Sequence, residues 1–355
     1  MKSKRSRISG FLLTPHSLFL TIVFLTACTR PSLYQQESYV FGTRVEVLIY
    51  GEEAGRARES AGLVLREFDR LHRMLHAWQS SELTALTDAI ARGEAKIGVS
   101  PELAAILRDA SEIAQRSDHL FNPAIGQLVT LWGFHSEEFK PALPDEAAVS
   151  SLLKAQPRLS DLSIEGGQVT SRNRAVALDL GGYAKGYALD RAADLLREKG
   201  IRNALINIGG NVLALGTKDG KPWRVGIQHP REAAPLATLE LRDGEAIGTS
   251  GDYQRFFEVA GKRYCHVIDP RSGHPGVGTQ AITVLVEPRP GAGALSDAAS
   301  KPLFLAGAGR WTEYARRLSI AAALRVDDQG TIYVTEPMRE RIKMTDASTK
   351  PVVAQ

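Results

Sequence analysis

Between residues 204 and 334 the chain is written as short alternating runs broken at glycines, and this pattern narrows the fold more than any other feature. "NALINIGGNVLALG" at 203–216 reads as strand, two-residue glycine turn, strand. "PWRVGIQHP", "LATLELRDGEAIGTSG" and "TQAITVLVE" carry the β-branched and alternating character of further strands. "RFFEVAGKRYCHVIDP" predicts a hairpin turning at Ala260–Lys262, and "IAAALRVDDQGTIYVT" predicts another. Helical spacing interrupts these runs at 295–318, in spite of Pro302. The first half adds one strand, "YVFGTRVEVLIYG" at 39–51, and amphipathic helices over Ala57–Met74 and Pro101–Arg116. A helix start is expected at "SSEL", capped by Ser80 or Ser81, and another helix ends at Gly200. Residues 135–160 are polar, with three prolines, and read as surface helices and loops. Runs of antiparallel hairpins mixed with helices make the fold class α+β, with largely antiparallel mixed sheets and packed helices.

The N-terminus follows a different logic. Lys2, Lys4, Arg5 and Arg7 precede an apolar run, "FLTIVFLTA", and then Cys28. That is the grammar of a bacterial secretory signal, too short for a spanning helix. "LTAC" also fits a lipobox, in which Cys28 is lipidated and becomes the mature N-terminus. The expected organisation is a signal over 1–27, a lipidated tether over 28–38, one domain over 39–340 and a tail over 341–355. The expected location is the extracytoplasmic face of the cell envelope. The whole chain has 44 basic and 40 acidic residues, and removing the signal leaves 40 of each. A nucleic-acid partner is therefore not expected. With Cys28 lipidated, only Cys265 remains, so no internal disulfide is expected and packing alone must hold the fold.

Three stretches could carry chemistry. In "DLGGYAKGYALD" at 179–190, glycines open a helix between Asp179 and Lys185. Free N–H groups and a lysine at a helix mouth suit phosphate or pyrophosphate, while Asp179 could hold a metal, a base edge or the lysine. Neither a P-loop nor a dinucleotide fingerprint is present in this stretch. In "TSGDYQRFFEVAGKRYCHVIDPRSGHPG", His266 is placed to move a proton, and Thr249, Ser250 and Gly251 form a small-residue turn suited to close ligand approach. In "SDAASKPLFLAG", Asp297 and Ser300 share a helical face, and a carboxylate with a hydroxyl could hold Mg²⁺ beside a phosphate. Taken singly, each has a plain structural reading: a turn needing positive φ, a surface histidine, a capped helix start.

Together and in this order they resemble the FAD:protein FMN transferases, the ApbE-type lipoproteins. The resemblance runs from about residue 39 to 340. It rests on "FGTRVEV", "SSEL", "FNPAIGQLVTLWGF", "DLGGYAKGYALDRAADLL", "NIGGNVLALG", "TSGDYQRFF", "HVIDPRSGHP" and "SDAASKPLF". It implies an ApbE-like fold, related to the T-fold. It also implies an enzyme that splits the FAD pyrophosphate with Mg²⁺ assistance. FMN would pass to a Thr or Ser hydroxyl of a target redox protein, and AMP would leave. Under that resemblance Phe41, Trp78, Leu120, Phe121, Asn122, Asp179, Lys185, Ser250, Gly251 and Val267 would contact FAD. His266 would help deprotonate the acceptor, with Lys185 and Asp179 beside it in catalysis. Gly182, through its carbonyl, would join Asp297, Ser300 and Lys301 at the metal position.

The chain departs from the family pattern in places. Phe41 stands for a usual Met, and Asn122 for a common Asp. Lys301 stands where the family has a Thr, and lysine is not a Mg²⁺ ligand. Two outcomes are open: Lys301 turns away and leaves a weaker metal site, or its ammonium takes the metal's place. An FAD pyrophosphatase and a non-catalytic flavin-binding lipoprotein are the competing functions. The chain lacks an acidic-Thr flavinylation motif of its own, so the acceptor is expected in trans.

Overall fold

In the nine-stranded sheet at the centre of the structure, the order of strands in space is their order in sequence. The computed structural model describes residues 32–136, 138 and 141–354, so the expected signal and the lipidation at Cys28 lie outside it. The sheet strands are β1 (Leu33–Val40), β2 (Thr43–Tyr50), β3 (Ala204–Ile208), β4 (Asn211–Leu215), β5 (Ala246–Gly251), β6 (Thr279–Val286), β7 (Ala322–Asp327), β8 (Ile332–Val334) and β9 (Val352–Val353). All neighbours pair antiparallel except β8 and β9, which are parallel.

Alternation along the strands explains the two layers. Ile206, Leu213, Ile282 and Val284 face one core, packed with helices α1 (Ala54–Leu75), α2 (Ala184–Glu198) and α3 (Ala292–Leu305). Val212, Ile247, Leu285 and Leu324 face a second core, closed by Trp223, Leu239 and Met338. That side is covered by a three-stranded sheet containing Trp223–Gln228 and Pro235–Leu241. Strand β6 is buried along its whole length, as a strand covered on both faces must be. A third, smaller cluster joins Trp132, Phe134, Val149, Phe257 and Ile268.

Two boundaries differ from the sequence reading. The expected tether over 28–38 is replaced from Leu33 onward by β1, which pairs with β2 through all eight of its residues. The single strand expected over 39–51 is therefore the turn and second arm of a hairpin. Phe41 (φ +57°) and Gly42 (φ +67°) make its turn, both left-handed as a two-residue type I′ connection demands. A polar composition hid β1, because it lies at the sheet edge with little of its surface buried. The expected tail over 341–355 is also built in. Ile342–Met344 pairs with Pro235–Leu241, and β9 closes the far edge of the main sheet. Other expectations hold: Ser81 caps the helix Glu82–Arg92, and Gly200 follows α2 at φ +71°. The helical run at 295–318 is two helices, α3 with Pro302 inside it, then Trp311–Arg317.

Helix α3 decides where the site lies. It is buried nearly all round, wedged between β5 and α2. The wedge is tight because both neighbours present glycine. A Cβ at Gly248 would lie 2.2 Å from the Ser296 carbonyl oxygen, and one at Gly186 would lie 2.1 Å from the Gly293 carbonyl oxygen. Asp190 of α2 caps α3, accepting from the N–H groups of Gly293 and Ala294 at 2.8 Å each. Because the atom met at Gly186 is backbone, it cannot rotate away. Gly186→Ala is expected to destabilise the protein by at least about 1–3 kcal/mol through overpacking, read as a lower urea midpoint with unchanged slope.

Candidate active site

Three segments converge where α3 meets the mouth of α2. The strand-like stretch before α2 is fixed from behind: Asp179 N–H donates to the Pro123 carbonyl at 2.8 Å, and Ala177 N–H to the Ala124 carbonyl at 3.1 Å. This places Asp179 at the cleft with its carboxylate held twice. Oδ1 accepts from Gly181 N–H at 2.7 Å, and Oδ2 lies 2.9 Å from Nε2 of His135. Burial raises the Asp179 pKa, but the His135 hydrogen bond, the Gly181 N–H and the Arg255 charge outweigh it, so the net shift is downward. Asp179 is thus an anion.

One turn of helix away, Gly186 N–H donates to Oδ2 of Asp297 at 3.1 Å. Asp297 is fully buried, and its other oxygen is ion-paired with the Lys301 ammonium, which also donates to the Asp297 carbonyl at 2.9 Å. The stem of Lys301 passes over Gly182, where a Cβ would stand 3.0 Å from its Cε. A side chain at Gly182 would therefore press on the lysine stem. Ser300 donates to the Asp297 carbonyl at 2.7 Å and shares a 2.7 Å hydrogen bond with Ser250. Burial would raise the Asp297 pKa, yet the charges of Lys301 and Lys185 prevail and lower it. For Lys185, burial lowers the pKa, with Asp297 opposing and Lys301 and Arg255 adding to the depression.

The third segment brings His266. Its Nδ1 lies 3.2 Å from the Arg255 carbonyl, and its ring meets Phe134 edge-on at 6.3 Å. Burial first, then Arg255, Lys185 and Lys301, push its pKa down to about 3. His266 is a neutral imidazole at physiological pH, able to accept a proton. The Arg255 guanidinium lies 5.8 Å above the Trp78 ring and donates to the Phe134 carbonyl at 2.7 Å.

An aromatic wall flanks the charges. Phe41, His72, His76, Trp78 and His135 follow one another at ring separations of 5.5, 4.9, 4.5 and 5.1 Å, and the last pair is stacked. Trp78 is 38% exposed, unusual for its size, although His135 stacks on it and Arg255 lies over its ring. A flat heteroaromatic ligand with a charged linker matches such a wall beside a cationic floor. Lys185, Lys301 and Arg255 face Asp179 and Asp297 in this floor, so basic side chains outnumber acidic ones there.

The sequence-predicted residues divide. Asp179, Gly182, Lys185, His266, Asp297, Ser300 and Lys301 come together, with Ser250 hydrogen-bonded behind Ser300 and buried Gly251 next to it. Phe41 begins the aromatic row, and Trp78 stands fourth in it, next to His135. Leu120, Phe121 and Val267 do not present side chains to the cleft; all three are buried in the main core. Asn122 spends its amide on the backbone, donating to the Pro157 carbonyl at 2.9 Å and accepting from Ala124 N–H at 3.1 Å. The side chains of these four are thus spent on packing and on backbone hydrogen bonds, and Pro123 and Ala124, next along the chain from Asn122, hold the Asp179 segment through their carbonyls. His135 and Arg255 were missed. His135 follows directly on "LWGF", and Arg255 stands inside "TSGDYQRFF", so the signal was present but carried no spacing rule.

Four residues were expected at a Mg²⁺ position, and the donor set does not fit that ion. Asp297 is the only carboxylate in the set, and its oxygens are taken by Lys301 and Gly186. Ser300 is committed to the Asp297 carbonyl and Ser250. Among the described residues no group of three His, Cys, Asp or Glu could hold a metal. Lys301 does not turn away from this set: its ammonium is ion-paired with Asp297.

The ApbE family model matches residues 41–324. A protein of Rhodobacter capsulatus called FAD:protein FMN transferase is 42% identical over 308 residues, which cover 87% of this chain and 58% of that protein. This chain therefore spans little more than half of that relative. A protein of Klebsiella pneumoniae with the same description is 32% identical over 247 residues, covering 68% of this chain and 74% of that one. Among solved structures, the ApbE protein of Thermotoga maritima superposes with a TM-score of 0.79 at 28% identity, over 87% of this chain and 99% of that one. The apo form of the Pseudomonas stutzeri flavinyl transferase ApbE gives 0.75 at 27% identity, over 88% of this chain and 97% of that one.

Proposed function

Because the chain belongs to the ApbE family, we propose that it transfers FMN from FAD to a Thr or Ser hydroxyl of a redox protein, releasing AMP. The observation that carries this reading is one site that brings a neutral imidazole at His266 together with the basic side chains of Lys185, Lys301 and Arg255 and a partly exposed indole at Trp78. In this reading the adenosine or flavin ring of FAD lies along the Trp78 wall, and Asp179, kept ionised by His135, accepts from a ring N–H or a ribose hydroxyl. Lys185 and Arg255 meet the pyrophosphate. His266 takes the proton of the acceptor hydroxyl as its oxygen attacks the FMN phosphorus. The bond from that phosphorus to the bridging oxygen breaks, and the electron pair leaves with AMP. Fixed cations favour the charge gathering on the phosphoryl oxygens without having to reorganise.

Mg²⁺ assistance, carried by the resemblance, finds a poor donor set here, since the carboxylate it would use is neutralised by Lys301. The envelope location and a lipid anchor at Cys28 belong to the same proposal. Their support is the basic start, the apolar run and "LTAC". No helix among the described residues is long and apolar enough to cross a membrane.

The purified chain, FAD and a Thr-bearing acceptor domain test the activity. An acceptor mass gain equal to FMN less water, with one AMP released per adduct, is the expected result. Free FMN and AMP without adduct would instead make the chain an FAD pyrophosphatase, and intact FAD throughout would leave a flavin-binding protein.

A further inference from the structure

We infer that Lys301 replaces a divalent cation, so that this chain handles the FAD pyrophosphate without a metal. The inference rests on the transferase reading but concerns a different question, namely what neutralises the phosphates. Its basis is local geometry. The Lys301 ammonium is ion-paired with Asp297 and donates to the Asp297 carbonyl at 2.9 Å, while its stem covers Gly182. The space a cation would need between the Gly182 backbone and the Asp297 carboxylate is thus filled by the lysine itself. Asp297 has no oxygen left uncommitted, and Ser300 is bound on both sides.

An ammonium has three N–H donors, and two are accounted for by Asp297. The lysine side chain remains 15% exposed, against 1% for Asp297, so of the two partners it is the one within reach of a ligand. The charges of Lys185 and Lys301 both act on His266 and on Asp297, so the two lysines belong to one electrostatic neighbourhood. A lysine is a point charge that needs no coordination geometry and no uptake from solution. It carries one positive charge where Mg²⁺ carries two, and Lys185 with Arg255 supplies the remainder.

The test compares the full chain with Lys301→Met and Lys301→Thr, each with chelator or with Mg²⁺. In the unaltered chain, chelation is expected to change the rate of FMN transfer by less than about twofold. Lys301→Met should lose about 10²–10³-fold in both conditions, the scale for removing one preorganised charge donor. Lys301→Thr frees Asp297 and adds a hydroxyl, so it should be as slow in chelator and recover at least about tenfold with Mg²⁺. A Mn²⁺ titration by electron paramagnetic resonance, without FAD, reads the site independently of activity. The unaltered chain should leave the Mn²⁺ signal unchanged, and Lys301→Thr should quench it. Thermal melts identify any variant that has failed to fold, and the titration of the unaltered chain then decides alone. Transfer that collapses in chelator and returns with Mg²⁺, or stoichiometric Mn²⁺ capture by the unaltered chain, overturns the inference and leaves the transferase reading intact. Absence of any adduct in all conditions overturns the transferase reading, while the Mn²⁺ titration still decides the role of Lys301.

Discussion

Replacing His266 with alanine is expected to slow FMN transfer by about 10²–10⁴-fold while leaving FAD affinity within about threefold, because a general base acts in the transition state and not in binding. The pH profile separates this from a structural defect. Burial and the neighbouring cations hold the His266 pKa at about 3, far below its ordinary value. kcat/KM reports groups of the free enzyme, so its acid limb due to His266 should fall below about pH 5. Bound pyrophosphate offsets the cations, so the corresponding limb in kcat should lie at higher pH. A profile with a single limb near the ordinary histidine value in both parameters would remove His266 from the base role. Stability moves the same way. Between the folded and ordinary pKa values the unfolded chain binds the extra proton, so the contribution of His266 is complete above the ordinary value and is lost as pH falls toward 3. His266→Ala should flatten the stability curve across that acid window.

Asp297→Asn is expected to cost the fold about 3 kcal/mol, measured by urea denaturation at neutral pH. Removing one partner of a buried ion pair costs about 3–5 kcal/mol because the other charge is left stranded. The lower end applies here: Lys301 keeps 15% exposure and can turn its ammonium toward the cleft, whereas Asp297 cannot move. Asp297 also anchors Gly186 N–H at the start of α2, so the change reaches the α2–α3 contact. The double change Asp297→Asn with Lys301→Met leaves no stranded charge at that pair and should recover at least half of the loss. If the double variant is no more stable than the single one, the pair is not the source of the cost.

The division between what was legible in the sequence and what was not follows the physics of each segment. The strands around β3 to β8 were readable because both faces of the sheet are buried and their glycine turns are local signals. Strand β1 was not, since an edge strand with polar side chains looks like a linker until its partner is known. The carboxyl-terminal strands failed for the same reason, being two or three residues long and defined wholly by distant partners. In the site, lysine, histidine and aspartate could be picked out because their chemistry is scarce and their glycine settings are distinctive. Leu120, Phe121 and Val267 entered through the resemblance alone, and their side chains lie buried in the main core. His135 lay one residue past a quoted motif, and only the fold brings it across to Asp179, 44 positions away.

A sheet laid down in the order in which it is written has a consequence for how the molecule is made. Each strand from β2 to β8 finds its antiparallel neighbour already present when it emerges from a ribosome or a translocation channel. Growth can proceed from one end, with each new hairpin adding to an existing edge rather than waiting for a distant partner. The chemistry is withheld until late. Asp179, Lys185 and His266 arrive before Lys301, and α3 can wedge into place only when β5 and β6 are already paired. A chain growing from its N-terminus therefore has six of the nine sheet strands written before α3 brings Lys301 to the site.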